Sequence, residues 1–166
     1  MKRPTPFDAL LESFPEPKSA KQKSPRRPLV LVIDDDVSIR QALELVLDSQ
    51  YQVTLCSSAA EGISAFNEET CAVILDVKMQ GRDGFWACDQ IRRIAPDVPI
   101  IFYSAYQNAK DPFEIINQHR PFAYIAKDGS VQRLLDSLET ATRLYQSTLT
   151  TRRILEKLKR GRAESA

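Results

Sequence analysis

The stretch LVLVIDDD at residues 29–36 decides the fold. Its first five residues, 29–33, are apolar, and three of them are β-branched; three aspartates follow directly. A short apolar run that is bounded by polar residues is typical of a strand buried on both faces, as strands in parallel sheets are. We therefore expect a buried strand that ends where Asp34 begins.

Four more apolar runs follow, and segments with helical spacing lie between them. The predicted further strands are 52–56, 71–75, 99–103 and 122–126. The predicted helices are 38–49, 59–67, 84–94, 111–118 and a long one that begins near residue 130. This alternation predicts an α/β fold: a five-stranded parallel sheet with helices on both faces and an extended last helix.

The composition excludes several classes of protein. The chain has 166 residues, of which 43% are hydrophobic, enough for a packed core. It contains no apolar run of the roughly 18–20 residues that a membrane span needs. Cys56, Cys71 and Cys88 lie in apolar or helical stretches, which predicts buried free thiols and a cytoplasmic location. A single histidine, His119, argues against a structural zinc site.

Charge and proline divide the chain into three parts. Residues 1–28 hold seven Lys or Arg against three Asp or Glu, and six of the ten prolines, which predicts a disordered basic tail. Within it, residues 7–14 place four apolar side chains on one helical face. This stretch is either a docking peptide for a partner or a segment that rests on its own domain. An acidic domain at 29–145 and a basic helical extension at 146–166 follow.

Polar side chains follow the predicted strands where each strand ends. These residues are Asp34, Asp35, Asp76, Ser104 and Lys127. Ligands of open parallel sheets bind at the carboxyl ends of the strands, so these side chains are expected to meet. Three carboxylates repel one another unless a cation lies among them, and carboxylate oxygens suit Mg²⁺. The set predicts phosphoryl chemistry, with one aspartate as nucleophile and the lysine supplying charge.

Four motifs resemble the receiver domain of bacterial two-component response regulators. They lie at residues 32–40, 74–84, 103–105 and 124–127, in order and each at a strand end. The resemblance extends over residues 29–145. It implies the flavodoxin-like receiver fold and a signalling switch that is controlled by phosphorylation.

The resemblance also implies which residues bind the metal and accept the phosphoryl group. Asp76 is expected to be the phosphoacceptor. Asp34, Asp35, Asp76 and the backbone carbonyl of Lys78 are expected to hold Mg²⁺. Asp36, the third aspartate of the run, is interpreted instead as the N-cap or a first-turn acid of the following helix, not as a third ligand.

Three further residues receive roles from the same resemblance. Lys127 is expected to contact the phosphoryl group, and Ser104 and Tyr124 to act as the conformational switch. For Ser104 the alternative is a small polar loop residue. For Tyr124 the alternative is a half-buried strand residue without a switching role.

Two positions depart from the family pattern, which usually has proline where this chain has Gln80 and Asp128. Because a cis bond before a residue other than proline costs about 2.5–4 kcal/mol, we expect a trans Lys127–Asp128 bond. Residues 128–130 then predict a turn into the last helix, capped by Asp128 or Ser130.

The last helix extends past the expected end of the domain. Leu149, Ile154, Leu155 and Leu158 continue its apolar positions among six Lys or Arg, and residues 147–151 are a candidate break. The extension either pairs in a homodimer or links to an output domain. One basic helix is weak evidence for nucleic-acid binding, so a nucleic-acid partner is not expected.

The leading hypothesis is a stand-alone receiver, or the receiver end of a longer regulator. It would accept a phosphoryl group from a histidine kinase or phosphotransfer protein and signal through protein contacts. It would not be an enzyme beyond assisting its own phosphorylation and autodephosphorylation. The alternatives are a receiver-like binding module without phosphotransfer and a Mg²⁺-dependent phosphohydrolase. The second is disfavoured because Lys78 stands where such an enzyme needs a second acid.

Overall fold

The computed structural model describes residues 27–105 and 112–163, without the side chains of 112–114 and 161–163. The predicted tail, including its amphipathic stretch at 7–14, lies outside the described residues except for Arg27 and Pro28. Both the tail and the division of the chain into three parts therefore stay predictions.

Strands and helices alternate along the chain as the sequence predicts. The strands are β1 (Leu29–Ile33), β2 (Gln52–Cys56), β3 (Thr70–Leu75), β4 (Ile100–Ser104) and β5 (Ala123–Ala126). The helices are α1 (Val37–Leu47), α2 (Ala59–Ala65), α3 (Gly84–Ile94), α4 (Pro112–His119) and α5 (Gln132–Ala163).

The five strands form one sheet in the order β2-β1-β3-β4-β5, and every neighbouring pair is parallel. The predicted fold class is thereby confirmed. The chain moves outward from β1 to one edge and then returns to build the other side, so the strand order reverses between β1 and β3. In sheets of this kind the crevice at the reversal point, beyond the carboxyl ends of the strands, is where ligands bind.

Each face of the sheet carries its own apolar core, because successive strand side chains point to opposite faces. On one face Leu31 and Phe102 pack with residues of α2, α3 and α4. On the other face Val32 and Ile101 pack with residues of α1 and α5. Both layers are needed because all six residues of β3 are buried.

Only some of the apolar residues of α1 face the core. Ile39, Leu43, Val46 and Leu47 share helical spacing, yet Val46 is 39% exposed while Leu43 and Leu47 are buried. A helix on the sheet buries a limited stripe, and Leu43 and Leu47, one turn apart, occupy it. The helical spacing of these residues is confirmed, and Leu43 and Leu47 supply the buried face of α1.

The break considered at residues 147–151 is wrong, since α5 is continuous from Gln132 to Ala163. Its threonine hydroxyls donate to carbonyls four residues back, as Thr148 does to Leu144 at 3.0 Å, so their polar groups are satisfied within the helix. Arg152 also pairs with Asp97 at 2.8 Å and attaches this part of the helix to the domain. Beyond it, Ile154, Leu155 and Leu158 are more than half exposed.

The three cysteines are buried free thiols, as the sequence predicted. Burial raises the pKa of Cys56 and that of Cys88 from 9.0 to about 11. Within the described parts of the chain, no helix combines the length and the apolar character that crossing a membrane requires.

Candidate functional site

Backbone hydrogen bonds extend the sheet just beyond its strands and place the polar residues at its carboxyl edge. The three bonds run from Asp34 N to Cys56 O at 3.0 Å, from Asp76 N to Ile33 O at 2.9 Å, and from Lys127 N to Ser104 O at 3.0 Å. The backbone of Asp34, Asp76 and Lys127 is therefore fixed in each case by the last residue of a neighbouring strand, so the sheet positions these side chains.

Three carboxylates meet at this edge. One ligand atom each of Asp34, Asp35 and Asp76 lies within 4.8 Å of the other two. Asp34 and Asp76 are buried, at 2% and 6% exposure, whereas Asp35 is exposed. The structure thus brings together the three residues that the sequence predicted as metal ligands.

Lys127 reaches into the cluster from the end of β5. Its Nζ lies 2.7 Å from Asp34 Oδ2 and 3.5 Å from Asp76 Oδ1. The ammonium also lies 5.8 Å from the centroid of the Tyr103 ring, a contact that the sequence did not predict. One cation against three carboxylates leaves the cluster with an excess of negative charge.

The residues present fit a magnesium ion. Asp76 Oδ1 is buried and has no hydrogen-bond partner among the described residues. Buried carboxylate oxygens are normally satisfied, so an open one between two further carboxylates suits a hard cation that takes oxygen ligands. Burial raises the pKa of Asp34, although the hydrogen bonds from Lys127 and from the Asp36 backbone oppose this shift. A bound cation would favour the ionised form of this carboxyl.

The loop after β1 is held by its own hydrogen bonds. Asp34 Oδ1 accepts from the Asp36 backbone at 3.0 Å, and Asp36 accepts from Ser38 N at 2.8 Å as the N-cap of α1. The predicted capping role of Asp36 is confirmed. Arg40 of α1 donates to the Asp34 carbonyl at 2.6 Å, an anchor that sequence reasoning missed.

The loop after β3 makes two contacts that the sequence did not predict. The backbone N–H of Gln80 donates to Asp35 Oδ2 at 3.0 Å. A Cβ atom on Gly84 would overlap the Asp76 carbonyl oxygen and lie 2.9 Å from the Asp76 carbonyl carbon. The glycine within the 74–84 motif was the available signal for this close approach. Lys78 has an exposed side chain, and the ligand role of its carbonyl stays a prediction.

Ser104 and Tyr124 lie on the adjacent strands β4 and β5, where Ser104 pairs with Ala126 and Tyr124 pairs with Phe102. Ser104 is the last residue of β4 and is 1% exposed, so the alternative of a loop residue is wrong. Tyr124 is half-buried on β5, with its ring centroid 6.0 Å from that of Phe102. Their switching roles stay predictions.

The turn after Lys127 has the predicted trans geometry, since none of the described peptide bonds is cis. Asp128 Oδ1 accepts from Ser130 N at 3.1 Å, and its other oxygen pairs with Arg133 of α5. Asp128, and not Ser130, therefore supplies the side chain that stabilises this turn. The glycine that follows, Gly129, has a φ of +90°, which fits a tight turn.

His119, the last residue of α4, packs against α3. Its ring is stacked on Phe85 with centroids 4.7 Å apart, and its Nδ1 lies 2.8 Å from an oxygen of Asp89. Both partners belong to α3, so the histidine connects the end of α4 to that helix.

A parallel five-stranded sheet with an acidic pocket, a lysine and a hydroxyl at its carboxyl edge defines the receiver class of signalling domains. The family model "Response regulator receiver domain" matches residues 30–139. The chain belongs to this family, and the resemblance inferred from the four motifs is confirmed.

Relatives with this domain are longer than the present chain. It is 29% identical over 119 residues to the hydrogenase transcriptional regulatory protein HoxA of Cupriavidus necator, covering 71% of this chain and 25% of that protein. It is 36% identical over 127 residues to the probable transcriptional regulator ycf27 of Cyanophora paradoxa, covering 72% and 53%. The chain thus spans between a quarter and about half of these two relatives.

Solved structures agree with the fold. The response regulator StyR is 25% identical, with a TM-score of 0.72 over 81% of this chain and 68% of that one. A response regulator receiver domain protein from Clostridium thermocellum is 24% identical, with a TM-score of 0.66 over 72% of this chain and 98% of that one. The second likeness concerns the fold alone.

Membership in the family establishes the general function. The chain is a receiver domain of the response regulators, a phosphorylation-dependent switch of two-component signalling. Such domains are signalling modules and not classical enzymes, and they generally bind Mg²⁺ at the acidic pocket.

Proposed function

We propose that this chain accepts a phosphoryl group on Asp76 from a histidine kinase or phosphotransfer protein, and that it signals through altered protein contacts. The observation that carries the proposal is the buried Asp76 Oδ1, which has no hydrogen-bond partner among the described residues and lies 3.5 Å from the Lys127 ammonium. A carboxylate has two oxygens, so Asp76 can contact a cation through one oxygen and act as a nucleophile through the other.

Asp34, Asp35, Asp76 and the Lys78 carbonyl would hold the Mg²⁺ ion, whose charge neutralises the oxygens of the transferred group. In the transfer step an Asp76 oxygen bonds to phosphorus while the phosphorus–nitrogen bond of the donor phosphohistidine breaks. The leaving imidazole keeps the electron pair of that bond and takes up a proton. The product is an acyl phosphate on Asp76.

Lys127 stabilises the same step by charge. Its ammonium is already between Asp34 and Asp76, so it reaches an anionic group on Asp76 through a small movement of a flexible side chain. The Ser104 hydroxyl would then donate to the phosphoryl group, and Tyr124 would turn with it. Loss of the group occurs by attack of water on phosphorus, which the domain assists in its own autodephosphorylation.

Partners other than the phosphoryl donor are expected to contact the two ends of the chain. We infer that the extension at 146–166 pairs in a homodimer or links to an output domain, because its apolar residues Ile154, Leu155 and Leu158 are exposed. The cytoplasm is the location that fits a two-component partner. The sequence predicted no nucleic-acid partner. This stays a prediction for the chain, although the relatives HoxA and ycf27 are named as transcriptional regulators.

The test is incubation with acetyl phosphate, with and without Mg²⁺, followed by intact mass and Trp86 fluorescence. Trp86 begins α3 beside the loop and lies under the Arg82 guanidinium, 5.1 Å from the ring centroid, so it reports on that loop. We expect a gain of one phosphoryl group that depends on Mg²⁺ and is absent in Asp76→Asn. A folded wild-type protein that binds Mg²⁺ but gains no mass would instead identify a binding module without phosphotransfer.

A further inference from the structure

The contact between Gln80 and Asp35 joins two loops of the site that are 45 residues apart in sequence. The donor is the Gln80 backbone N–H and the acceptor is Asp35 Oδ2, at 3.0 Å. Gln80 stands where the family usually has proline, and proline has no N–H to donate. This chain therefore has a hydrogen bond at its acidic pocket that the usual residue could not make.

Asp35 is the carboxylate of the cluster that most needs such a bond. Asp34 is held by Lys127 at 2.7 Å and by the Asp36 backbone at 3.0 Å, and it is buried. Asp35 is exposed, and the described ion pairs of Lys127 go to the other two carboxylates. Repulsion from two neighbouring carboxylates favours rotation of an exposed side chain into solvent.

The bond opposes this rotation without occupying the carboxylate. An ionised carboxylate has about four lone-pair sites, and one N–H uses one of them. The remaining sites are free for a cation, and the cluster distances of at most 4.8 Å are those observed with the Gln80 bond in place.

We propose that the backbone N–H of Gln80 positions Asp35 for Mg²⁺, a device that replaces the family's proline in this chain. The inference rests on the proposed function, because it assumes that the cluster holds the metal. Gln80 is a positioning residue and acts through Asp35. The proposed role belongs to the backbone of Gln80 and not to its side chain.

The experiment compares Gln80→Pro with Gln80→Ala, since both remove the side chain and only proline removes the N–H. Mg²⁺ is titrated into each protein and followed by Trp86 fluorescence and by calorimetry. We expect the proline variant to bind Mg²⁺ at least about tenfold more weakly than the alanine variant, the lower end of the scale of one hydrogen bond to a charged group. Equal affinities in the two variants, both folded by circular dichroism, would overturn the proposal.

A second measurement needs neither proline nor metal. Hydrogen exchange of the Gln80 amide is compared between the wild type and Asp35→Ala in Mg²⁺-free buffer. We expect an exchange at least tenfold faster in the variant, with the amide of Asp76, which donates to Ile33 O, as an unaffected reference. Unchanged exchange at Gln80 contradicts the bond even if the proline variant does not fold.

The two kinds of failure are distinguishable. If the wild type neither binds Mg²⁺ nor gains a phosphoryl group, the proposed function fails, and the metal-positioning role fails with it. If the wild type does both while the proline and alanine variants agree, only the role of Gln80 fails.

Discussion

Replacing Gly84 by alanine tests how closely helix α3 approaches Asp76, the proposed phosphoacceptor. The added Cβ would overlap the Asp76 carbonyl oxygen and lie 2.9 Å from its carbon and 3.0 Å from Val77 Cα. Real Cβ atoms essentially never lie closer than 3.0 Å to another heavy atom, so relief of the overlap with the carbonyl oxygen requires the backbone of the loop or the start of the helix to move by about 1 Å. The atoms in the way are backbone, which cannot rotate aside.

The expected cost follows from these distances. Overpacking typically destabilises by about 1–3 kcal/mol, and a clash with backbone belongs at the upper end of that range. Alanine favours a helix over glycine by up to about 1 kcal/mol, which offsets part of the cost. We expect Gly84→Ala to lower the free energy of unfolding by about 2 kcal/mol, and phosphorylation of Asp76 to slow at least tenfold because the acceptor is displaced.

Gly62→Ala is the matched control. Its Cβ would also meet an atom below 3 Å, the Ile33 Cγ1 at 2.7 Å, but this atom belongs to a side chain, which can move without displacing the Asp76 backbone. We expect a stability loss of the same order and a phosphorylation rate within about twofold of wild type. Urea unfolding and the rate of mass gain with acetyl phosphate measure both effects. If Gly84→Ala is phosphorylated as fast as Gly62→Ala at equal stability loss, the close approach does not position Asp76.

Two further predictions concern charge. Lys127→Ala should slow phosphorylation by about 100-fold, the scale of one lost electrostatic group, yet bind Mg²⁺ more tightly because the cluster becomes more negative; an unchanged rate by mass spectrometry would refute the role of the ammonium. The pKa of the Cys56 and Cys88 thiols is raised from 9.0 to about 11 in the folded protein, so above pH 9 the unfolded chain loses these protons first and stability falls as pH rises. Relative to pH 8, the free energy of unfolding at pH 10 is lower by about 1.4 kcal/mol per thiol. A Cys88→Ala variant should show a smaller decrease when urea unfolding is measured at both pH values.

The sheet was predictable because its signals are local. A five-residue apolar run followed by Asp34 has few alternatives, and a second apolar run, at 71–75, is likewise followed by an aspartate, Asp76. The convergence of Asp34, Asp76 and Lys127 also followed from sequence, since parallel strands bring their carboxyl ends to one edge. The end of a strand is predictable because the apolar pattern stops there and a polar residue follows.

The contacts that sequence reasoning missed have no such residue-type signal. Any residue except proline carries the N–H that Gln80 donates to Asp35, so only the missing proline hinted at it. The hydrogen bond from the Arg40 guanidinium to the Asp34 carbonyl depends on the orientation of α1 relative to the preceding loop. The continuity of α5 through its threonines was missed because intrinsic propensity ignores the hydroxyl bonds to preceding carbonyls and the Arg152–Asp97 pair.

The position of Lys127 suits the proposed role of Asp76 as a buried nucleophile. Its ammonium is 2.7 Å from Asp34 and 3.5 Å from Asp76, so its hydrogen bond goes to Asp34 and not to Asp76. A full hydrogen bond to Asp76 would lower the nucleophilicity of that carboxylate and block the approach of phosphorus. In the proposed mechanism Asp34 therefore has two roles: it holds the cation, and it keeps the lysine near Asp76 without a hydrogen bond to that residue. Once Asp76 bears a phosphoryl group, the added negative charge lies next to the ammonium and attracts it away from Asp34, which makes Lys127 responsive to the phosphorylation state.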